Sequence, residues 1–213
     1  MLFGVVRAAS AGNESRQSWN EVDITGSVHG VGVIVPTVAR LDSRLPNPRL
    51  LGTGAMLDLS LPWRLTLTGG YLSVHLPRPS PSTVSVPLVA LSITVSTTSI
   101  TIVDRNRLEK LIGVAGSPVR YRNRLLVDVP LDKSFSGWHA FADDEIFWNR
   151  GDDSWVQNRV QIGAGAPLTR RLFLDLYFLR RDLGRVVAPT FVVGTALRVK
   201  LPSLTHDSGR IVR

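Results

Sequence analysis

Arginines recur at every second position in two stretches of the chain, Arg105 and Arg107, then Arg120, Arg122 and Arg124, with Arg159 further on. Side chains two residues apart share one face of an extended strand, so these guanidinium groups stand in rows. Carboxylates fall on the same kind of face: Glu109, Asp128, Glu145 and Asp175. Rows of arginine can bind anions or, with carboxylates in an enclosed space, form charge-assisted ion pairs that satisfy one another. The expected lining of such a space is Arg105, Arg107, Glu109, Arg120, Arg122, Arg124, Asp128, Glu145, Gln157, Arg159 and Asp175, with Glu109, Asp128 and Glu145 as internal partners of the arginines.

Other chemistries find less support. The four histidines are His29, His75, His139 and His206. His139 shares strand parity with Asp143 and Glu145, but Asp143 lies about 13 Å along an extended strand, so a direct His139–Asp143 contact is ruled out. A partner from another strand is invisible at this level. No His-x-His or His-x-x-x-His spacing supplies a metal ligand set. The Asp152-Asp153 pair reads as turn chemistry. Gly163-Ala164-Gly165 lacks the following helix and lysine of a phosphate loop. The chain has no cysteine, which removes disulfides and thiol nucleophiles. No catalytic residue, metal or cofactor is expected.

The elements that must position the arginines are strands. In Arg170 to Arg181, Leu172, Leu174, Leu176 and Phe178 fall on one face and Arg171, Asp175, Tyr177 and Arg181 on the other, with Phe173 and Leu179 as exceptions. In Arg120 to Leu131, Tyr121, Leu125, Val127 and Val129 oppose Arg120, Arg122, Arg124 and Asp128, and only Asn123 and Leu126 break the pattern. Trp155 to Gly165 and Thr190 to Leu201 divide in the same way. Segments of about ten residues with this period, separated by Gly, Pro, Asp, Ser and Asn turns, are how transmembrane β-strands read. Earlier segments, including Asn20 to Ser27, Arg64 to Leu76 and Val84 to Ser96, alternate less cleanly. In Arg64 to Leu76 the apolar set changes face near Tyr71-Leu72, which predicts a bulge at or after Gly69-Gly70.

The expected fold is all-β: a single antiparallel up-and-down β-barrel of transmembrane type, with ten to twelve strands. Counting segments gives eleven; an even number is the rule for bacterial single-chain barrels, and twelve is preferred. Ser43 to Leu50, Pro77 to Thr83, Leu111 to Pro118, Asn149 to Asp153 and Asp182 to Pro189 read as the longer connections. Residues 17–201 form the barrel domain, 1–16 a flexible start and 202–213 a polar tail. Ala9-Ser10-Ala11 matches the small-residue pattern before a signal-peptidase site, and the short apolar run ahead of it reads as the remnant of a signal peptide.

Composition bounds the partners. No stretch approaches the roughly 18 apolar residues of a spanning helix. The net charge of +8 would suit nucleic acid, yet the arginines alternate along strands instead of forming one basic tail, so no nucleic-acid partner is expected. Alternation is symmetric between a soluble sandwich or barrel, with its arginines outside, and a membrane barrel, with them inside. Three features favour the membrane: charges of both signs share the polar faces, Trp19, Trp63, Tyr121, Trp138, Trp148 and Trp155 lie near strand ends as interfacial girdles do, and lysine is rare, with only Lys110, Lys133 and Lys200.

Arg120 to Leu125 (RYRNRL), Asp144-Glu145-Ile146-Phe147, and Trp155 to Arg159 (WVQNR) with Gly163 resemble a family of uncharacterised Gram-negative outer-membrane β-barrel proteins, a domain of unknown function. Gln17 to Gly26 (QSWNEVDITG), Arg105 to Glu109 and Leu172 to Arg181 share the likeness, which covers about residues 17–200. The resemblance implies an exported envelope protein with no established activity. The chain departs from the pattern in its incomplete signal peptide and in the polar tail after its last strand. The expectation is therefore an outer-membrane, porin-like barrel in contact with lipid, acting as a structural envelope protein or a narrow channel that favours a small anionic solute. The alternatives are an outer-membrane lipid hydrolase or acyltransferase, and a soluble β-protein binding an anionic ligand.

Overall fold

The computed structural model describes residues 15–42, 45–77, 82–131, 137–150, 154–184 and 188–203. The expected export remnant, the Asp152-Asp153 turn and most of the polar tail lie outside them. Eleven strands close into one barrel: β1 (Ser15–Val28), β2 (Val31–Asp42), β3 (Leu45–Leu61), β4 (Leu65–Leu76), β5 (Ser82–Ser96), β6 (Thr101–Lys110), β7 (Val119–Pro130), β8 (His139–Asn149), β9 (Ser154–Pro167), β10 (Leu172–Asp182) and β11 (Thr190–Lys200). Each strand pairs antiparallel with the next in sequence. The exception is the seam, where β1 and β11 run parallel from Ser15↔Thr190 to Thr25↔Lys200. An up-and-down sheet with an odd number of strands brings its first and last strands together pointing the same way, so closure requires this parallel pair. Among the described residues the count is eleven, one short of the preferred twelve.

Three local expectations change. Ser43 to Leu50 is mostly strand, because β3 begins at Leu45 and runs for 17 residues. No bulge occurs at Gly69-Gly70: β4 keeps unbroken register with both neighbours through these residues. Register shifts fall instead between Arg40 and Asp42 on β2 and at Phe147/Trp148 on β8. The apolar pattern of β4 changes parity in the sequence because both of its faces are apolar toward one end. Leu67 and Tyr71 point outward and are exposed, whereas Leu72, Val74 and Leu76 pack inward on Val84, Val86, Leu111 and Val114. The β1–β2 hairpin turns through His29 (φ 50°) and Gly30 (φ 81°), the doubly left-handed two-residue turn that matches the twist of paired strands.

The decisive feature is which face lies inside. Large apolar residues are exposed on the outward face all round the barrel, among them Ile24, Leu57, Leu67, Leu91, Ile93, Leu125, Ile162, Leu176, Phe178 and Val193. Most buried positions on the charged strands are polar, among them Arg107, Glu109, Asp143, Glu145, Gln157, Arg159, Asp175 and Arg181, with Phe147, Tyr177 and Leu179 between them. Among the aromatics, Trp63 and Trp138 are exposed at one end of the barrel, and Tyr121 and Trp148, directly paired, stand outward toward the other. Trp19 does not belong to a girdle. It is 2% exposed, turned into the lumen. The Trp155 side chain lies outside the described residues.

Candidate functional site: an arginine–carboxylate lumen

Neighbouring strand register stacks the inward residues of β6, β7, β8 and β9 into rows. Arg107 is opposite Arg122 and Arg122 opposite Phe147; Arg105 is opposite Arg124, Arg124 opposite Glu145, and Glu145 opposite Arg159. Like charges facing each other across strands repel. Carboxylates placed between the rows resolve that conflict.

Glu109, almost fully buried at 1% exposure, accepts from Arg120 Nε at 2.8 Å, Arg122 Nη1 at 2.7 Å and Arg107 Nη1 at 3.3 Å. Glu145 accepts from Arg122 Nη2 at 2.6 Å and Nε at 3.1 Å, from Arg159 at 3.3 Å and from Arg105 at 3.5 Å. Arg122 therefore bridges both carboxylates. Arg124 turns to Asp143 at 2.8 Å. Buried charges at this density survive because nearly every one has an opposite partner and short, charge-assisted hydrogen bonds.

Six arginines (Arg105, Arg107, Arg120, Arg122, Arg124 and Arg159) meet three carboxylates (Glu109, Asp143 and Glu145) in this cluster. Several of these guanidinium groups also lie against aromatic faces, which adds attraction where arginines outnumber carboxylates. Phe147, 1% exposed, has Arg159 at 4.4 Å and Arg122 at 4.6 Å from its ring centre. Trp19 has Arg40 at 3.8 Å, Arg159 at 5.1 Å and Arg181 at 5.9 Å. A desolvated ring face attracts a guanidinium by up to about 2 kcal/mol, so these two rings act as neutral counterparts where carboxylates run out. Gln157, two residues before Arg159 on β9, is buried beside it. A cavity of about 280 Å³ remains between the arginine wall and Met56, Leu72 and Val74 on the opposite side.

A second, smaller cluster sits nearer the end that carries Trp63 and Trp138. Asp175 accepts from Arg198 at 2.8 Å, and His139 Nε2 lies 3.5 Å from Asp175 and 3.6 Å from Asp128. Asp128 thus faces the lumen, but its neighbour is His139 and not an arginine of the main cluster. Asp175 likewise belongs to the second cluster. His139 does find carboxylates, from β7 and β10 across the barrel wall, while Asp143 on its own strand serves Arg124. Gly165 leaves room for this arrangement, since a Cβ there would collide with the Asp175 carboxylate and the His139 ring.

All the expected lining residues are therefore turned inward, in two groups and not one. The expected lining leaves out Arg40, Trp19, Phe147 and Asp143, and it leaves out Arg181 and Arg198 although both fall on the polar faces of their strands. Parity offers a signal for Phe147, which is in step with Asp143 and Glu145. Trp19 shares parity with Glu21 and Asp23, and its position near a strand end obscures that signal.

Closed barrel, charged interior and apolar exterior define a class: a β-barrel with the polarity of a soluble protein reversed. The chain belongs to the DUF2490 family, proteins of unknown function, whose family model matches residues 16–185 and so takes in β1 to β10. A search of curated proteins returned no match.

Proposed function

We propose that the protein is a barrel of the Gram-negative outer membrane, its apolar exterior in contact with lipid and its lumen braced by its own ion pairs. It serves as a structural envelope protein with at most a narrow, anion-favouring path. The observation that carries this reading is the inversion of faces. Residues such as Leu57 (55% exposed), Leu176 (56%), Ile162 (58%) and Val193 (65%) ring the outside, while the ionic groups are inside. A water-soluble protein rarely exposes a continuous apolar surface beyond a few hundred Å². A lipid-facing barrel requires one, with aromatic residues at both edges and polar groups inward.

The lumen supports the functional half of the proposal. Arginines outnumber carboxylates in the main cluster, and arginine rings favour anions in pores. The same side chains cross-link β6 to β9 and leave a small cavity where an open pore would need a channel. In this reading the cluster braces the wall and carries out no covalent chemistry.

The test combines membrane fractionation, heat-modifiable gel migration and planar-bilayer recording. The expected result is recovery with membranes, a faster-migrating folded band, and small or rare conductance whose anion preference falls in the Arg122→Ala and Arg159→Ala variants. Recovery in the aqueous fraction without detergent contradicts the membrane assignment; a large, non-selective conductance contradicts the braced lumen.

A further inference from the structure

Among the described residues, carboxylates stand on the outer wall well inside a strand in one place; elsewhere the in-strand polar groups of that wall, such as Ser18, Asn20 and Thr195 or Thr37 and Thr53, are uncharged and bond to one another. On β6 to β9 the outward positions Asp104, Asn106, Asn123, Asp144 and Asn158 are polar, and each lies well inside its strand. Asn123 Nδ2 donates to Asp104 at 2.6 Å and to Asn106 at 3.2 Å, Asn106 donates to Asp104 at 3.4 Å, and Asn158 donates to Asp144 at 2.7 Å. Other outward charges among the described side chains, Arg16, Lys110, Arg180 and Asp182, sit at strand ends, where water or headgroups reach them.

From this placement we propose that the β6–β9 face is the contact surface of a homodimer, a second copy of this chain covering the Asp104/Asn106/Asn123/Asp144/Asn158 patch within the membrane. The inference rests on the membrane reading above. Under that reading, two carboxylates and three amides at the mid-depth of the wall face hydrocarbon unless something covers them, and polar groups at that depth are costly. Local hydrogen bonds ease the cost without removing it: among the described residues, the Oδ1 atoms of Asn123 and Asn158 accept no hydrogen bond.

A second copy suits the patch better than a lipid or an unrelated apolar helix because carboxamides are both donors and acceptors, so a surface rich in them complements itself. Symmetry strengthens the match. Two copies inserted in the same sense are related by a two-fold axis along the membrane normal. That operator lays β6–β7 of one barrel against β8–β9 of the other, bringing Asn123 and Asn158 to opposite sides of one interface. Each amide then gains the partner that its own barrel does not supply.

The absence of cysteine allows a clean test in the full-length chain. Leu125 is paired with Asp104 on one side and Asp144 on the other, at the centre of the patch. Ile24 is an outward residue of β1, across the barrel. In isolated membranes treated with copper phenanthroline, L125C is expected to give a disulfide-linked product of twice the chain mass, at least tenfold more than I24C. Adding N123L to L125C is expected to abolish that product while heat-modifiable migration is retained. Equal, low cross-linking of L125C and I24C in a membrane-retained, heat-modifiable barrel overturns the dimer and leaves the membrane reading intact. A cross-linked product containing a different protein overturns self-association. Recovery of the chain in the aqueous fraction overturns both.

Discussion

The two sides of the lumen solve the same packing problem with opposite chemistry. From β6 to β9 the inward residues are mostly arginines and carboxylates; toward one end of β4 and β5 they are Leu72, Val74, Val84, Val86, Leu88 and Ala90, sealed by Leu111 and Val114 from the β6–β7 connection. The border is sharp, since Leu88 is paired with Glu109 and Ala90 with Arg107. Both sides present an exterior that is mostly apolar, broken on β6–β9 by the Asp104/Asn106/Asn123/Asp144/Asn158 patch. An enclosed interior can thus be filled by dispersion forces or by matched ions. The two fillings differ in what happens when one member is removed. Truncating an apolar side chain leaves a small void, whereas truncating a carboxylate leaves several buried cations facing one another.

Removing Glu109 breaks the comparison hardest. Glu109→Leu strips Arg107, Arg120 and Arg122 of their shared acceptor, and a buried pair broken on one side costs about 3–5 kcal/mol. Urea titration of the refolded barrel in detergent, followed by tryptophan fluorescence, is expected to show that destabilisation. On the opposite side Val86→Ala, at a site 3% exposed, deletes two methyl groups and is expected to cost about 2 kcal/mol in the same titration. A larger effect from Val86→Ala than from Glu109→Leu would reverse the ranking of the two walls.

Gly194→Ala probes the seam. A Cβ at Gly194 runs into the Tyr177 ring, whose hydroxyl donates to Glu21 at 2.9 Å across β10, β11 and β1. Overpacking of this kind costs about 1–3 kcal/mol, and Tyr177→Ala in the Gly194→Ala background is expected to show non-additive effects in a double-mutant cycle. At the bottom of the scale, Arg180→Ala removes an ion pair with Asp182 on the outer rim, where Arg180 is 55% exposed. Its expected effect is below about 0.5 kcal/mol.

The contrast between the walls also explains what the sequence could and could not convey. Alternation is clean in β7, β9, β10 and β11 because their lumen faces are polar while their outer faces are apolar. It blurs in β4 and β5 because an apolar lumen wall makes both faces alike, and that blur suggests a bulge the register does not contain. The exceptions to alternation carry information too. Phe173 and Leu179 are inward apolar residues, and Leu179 joins Trp19, Tyr177 and Val192 in one cluster. Asn123 is outward and belongs to the mid-wall polar patch. Arginines could be assigned to a lumen, but not to their carboxylates: parity says which face a side chain takes, while strand register and reach decide that Asp128 meets His139 and that Asp143 meets Arg124. Strand order at the seam is hidden for the same reason, since parallel pairing of β1 with β11 joins residues from the two ends of the chain.

The most direct test of the membrane reading is labelling of single cysteines placed on the outer wall in native membranes, with L57C on the side of the apolar lumen and I162C on the side of the ionic lumen. A water-soluble maleimide is expected to leave both unmodified until the membranes are dissolved and the barrel is unfolded, because both positions face lipid. Rapid modification of both in intact, detergent-free samples would mean that this apolar wall is bathed in water, and the membrane reading would be wrong.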